Sequence, residues 1–349
     1  MANRLYLDSG FIDSSLWYKD PAPFILALGG RGTGKTYGAL SDAAQGRYGK
    51  FVYMRRNDTQ LGAAKLPELN PFKRVNADFG TDLVFAPMGK SVSGIYHTAV
   101  VDGVSKPSGD PVGIGVPLSV FSNIRGVDGM DYQTVIFDEF IKESHERPIK
   151  NEGDAFLNMY ETLNRNRELP PLNEAPLKCL LLANTNDLRS PILEALGVVD
   201  IIESMIKRGQ EYKNTRNGML SIYLYQDSPV SKAKKKSALY QVANSADFSE
   251  MALDNRFSAA NYEQVRSLPL REFFPLVTIG SVTVYQHNRD SELYYVVEGK
   301  KAEDRYTEYS LSIRAFRADY FYLWEAMLDK RLFYASAAVK VRFERVWNI

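Results

Sequence analysis

As far as about residue 227 the chain alternates short apolar runs with stretches of helical periodicity. The runs at 24–28, 51–54, 135–137, 180–183 and 219–225 are continuous or nearly so. Strands of a parallel sheet look like this, because helices cover both faces and leave no room for a polar side chain. With helical stretches between the runs, the first part is expected to be an α/β domain. One such stretch, 154–167, sets Phe156, Met159, Tyr160 and Leu163 on one helical face. On that wheel Arg165 points away from the core and Arg167 back toward it, and Pro170-Pro171 stops the helix. Residues 79–116 break the pattern. They are rich in Gly, Ser, Val and Pro, with turn pairs Asp102-Gly103 and Ser108-Gly109, and read as a β-hairpin insertion or loop.

Near Ser231 the pattern shifts again. Lys232, Lys234, Lys235 and Lys236 fall within five residues, and no long apolar run follows, which suits a linker or an exposed helix. Beyond about Asn261, the runs 276–285 and 293–297 predict strands on either side of a turn-rich segment, and the aromatic tail 321–347 predicts helix. The expected organisation is therefore 1–228, a linker at 229–260, and a smaller α+β domain at 261–349.

Composition narrows this only a little. A chain of 349 residues exceeds what one core usually organises, so two domains are expected. Basic and acidic residues nearly cancel, 43 against 42, so net charge neither demands nor excludes a polyanionic partner. The single cysteine, Cys179, sits in an apolar run and reads as a small buried hydrophobe. The first residues lack a signal-peptide core, and no apolar run approaches the roughly 18 residues of a membrane span. A soluble protein in a reducing compartment, without a membrane partner, is expected.

The chemistry is concentrated in two motifs. Gly29-Gly30-Arg31-Gly32-Thr33-Gly34-Lys35-Thr36 follows an apolar run and opens a helical stretch that ends near Gly46. This is the P-loop pattern. Its glycines let the backbone curl so that N–H groups converge on phosphate oxygens, Lys35 reaches the β- and γ-phosphates, and the Thr36 hydroxyl ligates Mg²⁺. The cofactors expected are ATP and Mg²⁺. In the second motif, an apolar run ends in Asp138-Glu139. Asp138 would hold Mg²⁺ through its water shell, and Glu139 can polarise an attacking water. A small-molecule kinase has no need of that base, since its substrate brings the nucleophile, so the pair favours hydrolysis. Asn184, at the tip of a further strand, stands open between a contact to the γ-phosphate or the attacking water and a plain strand-end turn residue. Arg165 is open too, between a surface arginine and a finger reaching a neighbouring subunit's γ-phosphate.

The ordered set GGRGTGKT, FVYMRR, PLSVFSN, VIFDEFIKE, NRNRE and EMALDNRF resembles the DNA-packaging ATPase of the phi-29-type tailed bacteriophages, over roughly residues 24–257. The resemblance implies a P-loop ATPase domain of the additional-strand type, with Walker A, Walker B and a catalytic glutamate. A linker would join it to a C-terminal domain with a degenerate ribonuclease-H-like fold. It also implies a ring, usually of five subunits, that docks on the portal of a phage prohead in the host cytoplasm. The ring would pump double-stranded DNA inward with ATP, and some relatives engage a structural RNA as well. By the same match Arg165 lands on the trans-acting finger, and Arg125 becomes a candidate for DNA or intersubunit contact. Arg55 and Arg56, at a strand end, are candidates for DNA, the nucleotide or a neighbouring subunit. Lys232, Lys234, Lys235 and Lys236 are candidates for phosphate contacts, with a solvated linker as the plain alternative. The run 276–285 carries no carboxylate, while Asp290 and Glu292 fall in a turn, so nuclease activity is not expected. The rivals are a helicase or clamp-loader-like ATPase, which would favour single strands or junctions, and a nucleotide-gated assembly protein with slow turnover.

Overall fold

The structure is a computed structural model that describes residues 5–89, 91–121, 129–143, 146–184, 188–226, 228–234, 236–242 and 263–347. Arg125, Lys235 and the stretch 253–257 lie outside the described residues. The chain divides into two compact units, Met1–Leu196 with Met205–Phe257, and Gly197–Ser204 with Ser258–Ile349.

The first unit is built on a nine-stranded sheet. In chain order its strands are β1 Phe24–Gly29, β2 Phe51–Arg55, β3 Val84–Pro87, β4 Ser93–Val101, β5 Val104–Pro117, β6 Thr134–Asp138, β7 Lys178–Asn184, β8 Tyr212–Thr215 and β9 Leu220–Tyr225. Across the sheet they run β3-β4-β5-β2-β6-β7-β1-β9-β8. The five apolar runs become β1, β2, β6, β7 and β9, all paired in parallel and buried almost throughout. Cys179 is buried in β7 as expected, and burial raises its thiol far above the ordinary range. Because β7 lies between β1 and β6, the carboxyl ends of these three strands form one edge, the position where open α/β sheets bind ligands.

The region read as an insertion or loop is part of this sheet. The end of β5 pairs in parallel with β2, Phe51 opposite Gly113 and Arg55 opposite Pro117, while β3 and β4 extend the edge antiparallel. Glycines conceal the strand from an apolar pattern, and they are required by close approach. A Cβ on Gly113 would stand 2.5 Å from the Phe51 carbonyl oxygen, and one on Gly115 would stand 2.8 Å from the Phe85 ring. Asp102-Gly103 makes the tight turn that the sequence predicts, both residues with positive φ. Ser108-Gly109 does not turn. It lies within β5, where the register to β4 shifts between Ile95 and His97.

In the second unit the run 276–285 is not one strand. It splits at Gly280 (φ 58°) into β10 Phe273–Ile279 and β11 Val282–His287, which pair antiparallel. With β12 Tyr294–Glu298, β13 Arg305–Tyr306 and β14 Leu332–Tyr334, the sheet order is β13-β10-β11-β12-β14, the outer two strands parallel to their neighbours. The tail is helical at Phe321–Leu328 and Ala337–Val346, but β14 interrupts it after a turn at Lys330 (φ 58°). The helix Ser310–Asp319 completes the layer, with Phe316, Leu323, Phe343 and Trp347 packed on the sheet. Gly197–Ser204, inside the residues expected of the first domain, belongs here. The Ala337 N–H donates to the buried Glu203 carboxylate at 3.0 Å. No helix among the described residues is long and apolar enough to cross a membrane.

Candidate nucleotide-binding site

The P-loop connects β1 to the helix Lys35–Ala44, with Gly32 at φ 70° and Gly34, the helix N-cap, at φ 100°. A side chain disfavours both conformations, and together they turn the loop's N–H groups inward at the positive end of the helix. Thr33 closes the loop by donating to the Gly30 carbonyl at 3.1 Å. The N-terminal segment braces it from outside: the Ile12 N–H donates to the Thr33 carbonyl at 3.1 Å, and the Phe11 ring lies against Gly34.

The buried Lys35 ammonium donates to the carbonyls of Gly29 (2.9 Å) and Gly30 (2.7 Å) and to Asn184 Oδ1 (3.3 Å). Burial lowers this lysine to about 7; Asp138 and Glu139 pull it back up, while Lys234 and Arg31 push it further down. Asn184 is brought to the loop because β7 pairs with β1 and sets it opposite Gly29. The Thr36 hydroxyl donates to Asp138 Oδ1 at 2.9 Å, and the Tyr53 hydroxyl to Asp138 Oδ2 at 3.2 Å. Asp138 is buried, which raises its carboxyl against the pull of the Arg55 guanidinium, 3.7 Å away. Burial and then Asp138 raise the Tyr53 phenol, which keeps it a donor.

Glu139, just after β6, lies in the left-handed region, φ 55°, a conformation costly for a side chain with a Cβ. The turn separates two directions. Phe140 goes into the core, while the Glu139 carboxylate stays nearly half exposed and pairs with Arg55. Arg31 pairs with Glu143 across the mouth of the site. A cleft of about 1050 Å³ runs along the loop and is lined by Phe11, Arg31, Lys35, Thr36, Asp138 and Glu139, among others.

Of the other candidates, Arg55 faces Asp138 and Glu139. It also donates through Nε to the Tyr53 hydroxyl at 3.0 Å. Arg56 is corrected: it is fully buried and cannot reach DNA or another subunit. It grips Glu152 through two hydrogen bonds (2.6 and 3.0 Å) and Glu146 at 2.6 Å, tying the end of β2 to the start of the helix Glu152–Asn164. That helix is shorter than the periodicity suggests, so the helical wheel does not orient Arg165. Arg165 is the C-cap (φ 45°, ψ −139°), and it is this non-helical backbone that leaves it exposed. Arg167 is buried and internal, as expected, with donors to the carbonyls of Gly129, Tyr132, Leu163 and Asn164. Lys232 and Lys236 are exposed. Lys234 is partly buried: its ammonium turns onto the P-loop and donates to the Arg31 carbonyl at 2.8 Å.

Sequence reasoning missed Tyr53, Glu143, Glu146 and Glu152. Tyr53 was within reach, because residues two apart on a strand share a face and Arg55 was already a candidate. The three glutamates carry no local signal.

The sequence profile of the Podovirus DNA encapsidation protein (Gp16) matches residues 22–316. The chain belongs to this family. It is similar to the DNA packaging proteins of Bacillus phage PZA and Bacillus phage phi29, each 26% identical over 259 residues, which span 70% of this chain and 67% of each relative. In fold it resembles a chain of the bacteriophage Phi-29 viral genome packaging motor assembly, with a TM-score of 0.64, 18% identity and 99% of each chain covered. In this encapsidation-family chain the matched residues take in the whole nine-stranded sheet and the P-loop, while Phe11 on the cleft wall precedes them.

Proposed function

We propose that this protein is a ring-forming ATPase that drives double-stranded DNA into a phage prohead. The observation that carries the reading is Glu139. A second carboxylate, exposed beside the buried Asp138 and next to the lysine of a phosphate cradle, equips the site to activate water rather than to pass a phosphoryl group to a small acceptor. The strand β7 between β1 and β6 supports the additional-strand type of P-loop ATPase. In this reading Lys35 and the loop N–H groups hold the phosphates, Asn184 orients the γ-phosphate or the water, and Glu139 takes the water's proton. The Glu139 carboxylate is engaged by Arg55 in this structure, so it must leave that pair to meet the water. The donor set suits Mg²⁺, which asks for a hydroxyl and one carboxylate beside substrate phosphates and retained waters, as Thr36 and Asp138 offer. When bound, the ion would offset charge developing on the phosphates.

Arg165 would complete the site of the next subunit in a ring of five, and Arg55 would act in the subunit's own site. Family membership supports double-stranded DNA, the portal and prohead, a structural RNA in some settings, and the host cytoplasm as the surroundings of the motor. The second unit would be a degenerate ribonuclease-H-like docking domain without nuclease activity, a reading that rests on family membership. Lys232, Lys236 and the undescribed Lys235 and Arg125 stay candidates for DNA or neighbouring subunits.

The test is steady-state ATP hydrolysis by the full chain, alone and with long duplex DNA, single-stranded DNA or RNA, with and without proheads. Stimulation by duplex is expected. Stimulation by single strands alone would turn the reading to a helicase, and none even with proheads would turn it to an assembly switch. Arg165→Ala subunits mixed into wild-type rings should poison their neighbours. Unchanged turnover per wild-type subunit would remove Arg165 from the site.

A further inference from the structure

Lys234 comes from the end of the short helix Pro229–Lys234, in residues expected to be linker, and yet it reaches the apex of the P-loop. Its ammonium lies so close to Gly32 that a Cβ there would stand 2.0 Å from Nζ. Gly32 has a positive φ, and the lysine end lies in the space a side chain there would enter. The helix is seated as well. Ser231 is fully buried, and Pro229 packs against Gly10 of the N-terminal turn whose next residues, Phe11 and Ile12, brace the loop.

Among the described residues, the charges around this lysine do not balance. Arg31 is offset by Glu143, and Lys35 has Asp138 and Glu139 near it. Among the described residues, Lys234 has one neutral acceptor, the Arg31 carbonyl, and no carboxylate partner. An ammonium with three donors, partly withdrawn from water beside two other cations, is unfavourable unless an anion joins them. A polyphosphate in the cradle is an anion of that kind, and the hydrogen bonds it would accept are the strong, charge-assisted sort.

We propose that Lys234 is a further nucleotide-binding residue, which contacts the polyphosphate on the Gly32 side of the loop and so ties the helix Pro229–Lys234 to the presence of nucleotide. This rests on the reading of the P-loop as a nucleoside triphosphate site. It gives the start of the linker a direct contact with the bound nucleotide.

The test uses the full chain with Lys234→Met, which keeps the aliphatic stem, together with Lys234→Arg and Lys35→Ala. Equilibrium binding of fluorescent ADP and ATP analogues is measured beside steady-state hydrolysis. For Lys234→Met, ADP affinity should fall and the KM for ATP rise, each roughly tenfold, with kcat within about twofold. Lys234→Arg should recover most of the loss. Wild-type nucleotide affinity in Lys234→Met would overturn the inference, as would a loss of duplex DNA affinity with nucleotide binding unchanged, or a fall in kcat at constant KM. If Lys234→Met gives no thermal unfolding transition, Lys234→Gln is read by the same criteria. If Lys35→Ala binds ADP like wild type, the loop is not the nucleotide site and both readings fall. If Lys35→Ala loses ADP and Lys234→Met does not, this inference alone falls.

Discussion

At the carboxyl ends of β1, β2, β6 and β7 the nine-stranded sheet gathers Gly29, Arg55, Asp138 and Asn184, with Lys35, Tyr53 and Glu139 around them. The five-stranded sheet of the second unit also buries polar groups, but they are of another kind. Thr278 and Thr283 meet at 2.9 Å between β10 and β11. They accept from the backbone N–H groups of Ala302 and Lys301, and Thr283 donates to the Gly299 carbonyl. The one carboxylate on its strands, Glu298, lies at the end of β12 and pairs with Arg342 at 2.6 Å. Neutral hydroxyls that satisfy backbone groups are cheap to bury and hold a fold. Charges buried beside a glycine loop are expensive, and a sheet edge that keeps them is built for a charged ligand.

The sharpest way to break this contrast is Glu139→Gln. Turnover should fall on the order of 10²–10³-fold, with ADP affinity within a few fold of wild type. Retained hydrolysis would make the carboxyl end of β6 as structural as the second sheet. Arg56→Ala comes next. It leaves Glu146 and Glu152 without their cation in the interior, and chemical denaturation should show a loss of about 3–5 kcal/mol. A loss under 1 kcal/mol would mean that water reaches these groups and the ion pair is not buried. Thr278→Val should cost about 1–2 kcal/mol while hydrolysis stays at the wild-type rate. Reduced hydrolysis in that variant would link the second unit to the chemistry. The smallest expected effect is none at all: Asp290→Asn with Glu292→Gln should leave supercoiled and linear DNA as intact in Mg²⁺ as the wild type does. Cleavage by wild type that this double variant loses would overturn the proposal that the second unit is no nuclease.

The five buried strands and the P-loop were legible because each is written contiguously, as an apolar run or as eight successive residues with their own backbone geometry. The end of β5 was not, since Gly113 and Gly115 are placed by the approach of Phe51 and Phe85, which are distant in sequence. The single run 276–285 concealed a hairpin because apolar residues flank the turn at Gly280 on both sides. Arg165 was read as outward by the wrong route, since a helical wheel cannot say where the helix stops.

The sequence by itself determined the glycine loop after β1, the acid pair at the end of β6 and the parallel sheet behind them, because hydrophobic periodicity and glycine geometry act within a few residues. Tertiary structure alone decided the fate of side chains whose type is the same. Arg55 and Arg56 are neighbours, yet one faces Glu139 and the other is sealed against Glu152. Lys232 and Lys234 share a short helix, yet one is exposed and the other lies on Gly32. A long charged side chain takes its role from whichever opposite charge or carbonyl the fold brings within about 3 Å, and those partners stand as many as 203 residues away along the chain.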